Sequence, residues 1–156
     1  MKNYEADLEK QAQHYANKAP QSLGDVRELL ILAAATCCVT AHRYFEDRLG
    51  DPIMLSHLIS TIRDADDFCS GDARIEAAYY LGKFSPDLLR SHSNALLALY
   101  DRESDELPGG CLRGLLSQSL AAAHIPGGRD RIVRDLNREG YDKEAFLKAI
   151  CAYDAT

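Results

Sequence analysis

Five histidines and five cysteines are the residues of this chain best suited to metal binding or nucleophilic chemistry. Their spacing supports neither. His14, His42, His57, His92 and His124 form no H-x-x-x-H or H-E-x-x-H pair, the spacing that puts two imidazoles on one helix face for zinc. Cys37, Cys38, Cys69, Cys111 and Cys151 contain no C-x-x-C, and their odd number leaves one thiol outside any set of disulfides. Cys37 and Cys38 fall in an apolar run, where burial raises a thiol's pKa and lowers its reactivity. Buried, reduced thiols acting as small hydrophobes are therefore expected. Ser91-His92-Ser93 places hydroxyls beside an imidazole, but neighbours on a helix point in different directions. No G-x-S-x-G elbow is present. No catalytic residue, metal ligand or cofactor is assigned from the sequence, and an enzyme is not expected.

Two Pro-Gly-Gly tripeptides, at 108–110 and 126–128, precede helix starts, where backbone N–H groups attract anions. Neither continues into the Gly-Lys-Ser/Thr of a phosphate loop. The second is followed by Arg129, Asp130 and Arg131, yet a simple turn is the expected role. Arg129, Arg131, Arg134 and Arg138 form the one basic stripe, with Arg131, Arg134 and Arg138 on a common helical face. A helical enzyme acting on nucleotides or nucleic acid would have to use that stripe.

Acidic residues are the stronger signal. Residues 51–110 carry 11 Asp/Glu against 5 Lys/Arg, whereas the flanking thirds are nearly balanced. The acids gather at Asp64, Asp66, Asp67 and Asp72, then at Asp101, Glu103, Asp105 and Glu106. Asp64-Ala65-Asp66-Asp67 lacks the glycine and distal glutamate of a calcium loop. A net charge of −6 and a pI near 5.3 argue against nucleic acid and anionic membranes and permit a basic protein partner.

The elements that would position these residues are helices. Apolar spacing is helical nearly throughout, and no strand is convincing. Helices are expected at roughly 3–18, 25–48, after Asp51-Pro52, at 72–84, 86–102, after Pro108-Gly109-Gly110, at 129–138 and after Asp142. Asp51-Pro52 and Ser85-Pro86 are cap-then-proline starts. Leu112, Leu115, Leu116, Ser119, Leu120 and Ala123 form the cleanest stripe. The 156 residues suffice for a single all-α domain over 1–156, about eight helices paired as antiparallel hairpins. The longest apolar run, Leu29 to Val39, is too short to cross a bilayer. The polar N-terminus carries no signal-peptide core, so a cytoplasmic protein is expected.

The second helices of the first three hairpins open alike, with Arg27, Arg74 and Arg113 recurring at spacings in or near those of two-helix repeats. Asp72-Ala73-Arg74-Ile75-Glu76-Ala77-Ala78-Tyr79-Tyr80-Leu81-Gly82 resembles the second helix of a HEAT repeat, D-x-R-x-x-A-A-x-x-L-G. The resemblance covers about half the chain. Around Arg27 only Asp25, the arginine and Ala33-Ala34 are kept, before Arg113 the aspartate is replaced by Gly110, and the last two helices do not fit. It implies a short α-solenoid, an arginine that reaches an acid of the adjacent repeat, and a binding scaffold; fold alone does not establish the function.

In such a stack the acidic turns at 64–67 and 101–106 are equivalent, and they are expected to emerge side by side on one edge. The expected function is therefore a protein-binding module, of the bacterial immunity or antitoxin type, that blocks a basic toxin with Asp64, Asp66, Asp67, Asp101, Glu103, Asp105 and Glu106. The alternative is a HEAT-like adaptor or regulatory scaffold that uses an apolar groove near Tyr79 and Tyr80. A homo-oligomer is compatible with either.

Overall fold

The computed structural model describes residues 2–64, 71–102 and 110–155. Among the described residues every regular element is an α-helix, and there are ten. The chain divides into two compact units, Met1–Tyr80 and Leu81–Thr156.

The first unit holds α1 (Lys2–Ala16), α2 (Leu23–Ala33), α3 (Val39–Glu46), α4 (Pro52–Arg63) and α5 (Gly71–Leu81, up to Tyr80). α1 packs on α2 and α3, and α2 also packs on α3 and α4. Val26, Leu29, Leu30, Phe45, Leu55, Leu58 and Ile62 are buried at this core. The face expected for α1 is only partly used: Ala12 is fully buried, Leu8 and Tyr15 are half-buried, and Tyr4 is exposed.

The second unit holds α6 (Pro86–Arg90), α7 (Ser93–Arg102), α8 (Cys111–Ala122), α9 (Gly128–Asp135) and α10 (Lys143–Asp154). α8 is its axis, packed against α6, α7, α9 and α10. Its Leu112, Leu116 and Leu120 are buried, each contributing about 2 kcal/mol of apolar burial. Gly114 lets α10 approach, since a Cβ there would touch the Ala145 Cβ at 3.4 Å.

The expectation of about eight helices is corrected to ten, because two long segments are broken. The helix expected at 25–48 stops at Ala33 and restarts at Val39. At the break Cys38 is buried, its thiol donates to the Leu8 carbonyl, and Thr40 is held by Glu9, so α2 and α3 both fold onto α1. The helix expected at 86–102 breaks at Ser91-His92. There Ser91 Oγ donates to the Leu88 carbonyl and Ser93 Oγ to the Arg90 carbonyl, side-chain bonds that compete with the helical ladder.

Starts were read more accurately than breaks. Asp51 Oδ1 accepts from the Ile53 N–H at 2.9 Å, Ser85 Oγ from Leu88 at 3.3 Å, and Asp142 Oδ1 from Glu144 at 3.1 Å. α2 starts two residues earlier than expected. Ser22 is its cap, and Asp25 completes a capping box and pairs with Lys18 at 3.2 Å.

Candidate functional site

Asp64 ends α4 and Asp101 lies in the last turn of α7. Both carboxylates are held by arginines of their own unit. Arg27 Nη2 donates to Asp64 Oδ2 at 2.8 Å, and Arg63 Nε donates to Oδ1 at 3.2 Å. Burial works against ionisation of Asp64, but these two guanidiniums outweigh it and hold the carboxyl below its ordinary pKa. Arg131 Nε donates to Asp101 Oδ1 at 2.8 Å, and that hydrogen bond holds Asp101 below its ordinary pKa too. Asp66, Asp67, Glu103, Asp105 and Glu106 lie outside the described residues, and with them the expectation of one shared edge. So the first acid of each group is paired with an arginine of its own unit.

The centre of charge in the second unit is Asp135, which the sequence reading passed over. Asp135 is 3% exposed, and its carboxylate accepts from Tyr100 Oη at 2.8 Å, from Arg113 Nη1 at 3.4 Å and from Arg134 Nε and Nη2 at 3.3 Å. Arg138 Nη1 lies 4.0 Å away. Burial and the neighbouring carboxylate push the Tyr100 hydroxyl far above its ordinary pKa, so it stays a donor. A signal was available in the sequence. Gly128, Ile132 and Asp135 follow helical spacing on the buried face of α9, and an acid at such a position needs cationic partners.

Arg131 and Arg134 lie on α9, whereas Arg138, expected on the same helical face, follows the end of that helix at Asp135. With Arg113, Asp101, Asp130 and Asp135 they line a cleft of about 600 Å³. Arg129 leaves the stripe to form a bidentate pair with Asp154, at 2.8 and 3.0 Å. The turn before α9 is tied down by two side chains. Arg131 Nη1 donates to the Gly127 carbonyl at 2.9 Å, and Tyr153 Oη donates to the Ile125 carbonyl at 2.8 Å. Burial pushes the Tyr153 hydroxyl up to about 12.

In the first unit His42 Nδ1 and the Tyr80 hydroxyl lie 2.5 Å apart. Tyr80 is 1% exposed and stacks on Phe45, so it is core, whereas Tyr79 faces outward at 44% exposure. Glu76 is half-buried, and burial raises its pKa against the opposing pull of His42. Among the described residues no group of three His, Cys, Asp or Glu side chains is placed to hold a metal ion.

The expectation of buried cysteines holds for one of the four described. Cys38 is buried, and burial pushes its thiol up; Cys37 is half-buried; Cys111 and Cys151 are exposed. Cys69 lies outside the described residues. No described helix is long and apolar enough to cross a membrane. No protein-family model, no curated protein and no solved structure matches this chain, so the likeness of residues 72–82 to a HEAT helix rests on those residues alone.

Proposed function

We propose that this chain is a protein-binding module of the immunity or antitoxin type, which captures a basic protein through the acidic segments that follow α4 and α7. One observation carries the reading. The acid that opens each segment is fixed by an arginine at 2.8 Å, Asp64 by Arg27 and Asp101 by Arg131, while five further acids follow in sequence. Like charges crowded into short segments repel one another, and a basic partner relieves that repulsion while speeding encounter.

The scaffold is HEAT-like in this reading. Arg74 Nε donates to the Ile62 carbonyl at 3.1 Å, and Arg113 Nε donates to the Tyr100 carbonyl at 3.2 Å. Each arginine sits in the first turn of its helix and ties down the last turn of the helix before it, which supports treating α4–α5 and α7–α8 as equivalent hairpins. Arg27 instead reaches forward to Asp64, the contact that the HEAT resemblance implies.

A second reading, an adaptor with an apolar contact, draws on the exposed Tyr79 ring. Salt separates the two. Affinity for a partner held by the acidic segments falls steeply between 50 and 300 mM NaCl (on the order of tenfold or more, by screening of exposed charges). Affinity that does not change with salt assigns the contact to Tyr79 and rejects the acidic reading.

A further inference from the structure

Among the described residues the cleft beside α9 is lined by four guanidiniums and three carboxylates. Two of the carboxylates are committed to the protein. Asp135 accepts from Tyr100, Arg113 and Arg134, and Asp101 accepts from Arg131. Two of the guanidiniums keep a donor in reserve. Arg131 uses Nε and Nη1, and Arg134 uses Nε and Nη2. Arg131 Nη2 and Arg134 Nη1 have no partner among the described residues. The carboxylates thus act as struts that hold two guanidiniums in place with spare donors one helical turn apart.

We propose that this cleft binds a phosphate group, free or carried as a monoester. No apolar side chain among the described residues lines the cleft. A planar carboxylate accepts hydrogen bonds in one plane, whereas a phosphate accepts them from several directions. Guanidinium forks suit that geometry. The volume of about 600 Å³ leaves room for a mononucleotide as well as the free ion. Asp130 opposes binding: it lines the cleft and has no ion pair among the described residues, although Arg129 and Arg131 feel its charge.

The test is an NMR titration of the full-length, ¹⁵N-labelled chain at pH 7.5 and low ionic strength, with sodium phosphate in one arm and adenosine monophosphate in the other. Saturable shifts at α9 amides are expected in at least one arm. Equal affinities assign the site to the free ion, and tighter binding of the monophosphate assigns it to monoesters. Arg134→Gln weakens binding by roughly tenfold or more, the range for a charged hydrogen bond. Asp130→Asn, which breaks no ion pair among the described residues, tightens it by about two- to fivefold. Absence of saturation by 10 mM in both arms overturns the proposal, as does an affinity that Asp130→Asn leaves unchanged or weakens. Either result leaves the acidic-segment reading standing, because that reading, although it shares Asp101, is tested separately by reversing Asp66, Asp67, Glu103 and Asp105.

Discussion

The guanidinium of Arg113 and the carboxylate of Asp135 meet at 3.4 Å in the interior of the second unit, with side chains 8% and 5% exposed. An ion pair this deep is held by its remaining hydrogen bonds, here from Tyr100 to Asp135 and from Arg113 to the Tyr100 carbonyl. Removing one partner strands the other charge away from water. Asp135→Ala is therefore expected to cost about 3–5 kcal/mol, read as a lowered urea midpoint. Tyr100→Phe removes one donor to the same carboxylate and costs about 1.5–3 kcal/mol. An Asp135→Ala midpoint equal to that of the parent chain would contradict the burial of this pair.

This pair also shows what the sequence reading could and could not reach. Helix starts were legible because Asp51, Ser85 and Asp142 act within three residues of themselves. The placing of Arg131 and Arg134 together was legible because helical spacing is local, whereas the end of α9 before Arg138 was not. The break at Ala33–Val39 was not, since it depends on Glu9 and Leu8 some 30 residues away. Nor was the pairing of Asp64 and Asp101, whose arginines lie 37 and 30 positions off. Composition marks acids as a cluster, and only the fold assigns their counter-charges.

Gly128 is required by Tyr153. A Cβ at Gly128 would sit 2.0 Å from the Tyr153 hydroxyl oxygen, and that hydroxyl is tied to the Ile125 carbonyl. Gly128→Ala is expected to destabilise by about 1–3 kcal/mol, the usual cost of overpacking. Tyr153→Phe removes the clashing oxygen, so the double variant loses less than the sum of the two single changes. Strict additivity in a denaturation cycle would refute this contact.

Glu9 caps α3 from a distance. Its carboxylate accepts from the Thr40 N–H at 3.2 Å and from the Thr40 hydroxyl, where the cap residue Cys38 offers no side-chain bond. The hydrogen bond from the Thr40 hydroxyl is the largest influence holding Glu9 below its ordinary pKa of 4.5. The folded pKa is depressed, so this contribution is complete above 4.5 and is lost as pH falls through the folded value. Glu9→Gln should flatten the stability–pH curve below 4.5, and Glu9→Ala should cost about 1 kcal/mol at pH 7. A Glu9→Gln curve that overlays the parent's would remove this cap.

Thiol reactivity follows burial. Cys111 and Cys151 are exposed, whereas Cys38 is buried with its pKa raised. Iodoacetamide labelling followed by peptide mapping should mark Cys111 and Cys151 well before Cys38. Labelling of Cys38 at their rate would mean that the α2–α3 junction opens readily in solution.

The central claim is that acidic segments capture a basic partner, and charge reversal tests it most directly. Asp66, Asp67, Glu103 and Asp105 are changed together to Lys, and captures from the native host's lysate by the parent and the variant are compared at 50 mM NaCl. The account predicts a basic protein retained by the parent and lost from the variant, with the two chains melting within a few degrees of each other. The same basic protein retained by a folded variant would contradict it.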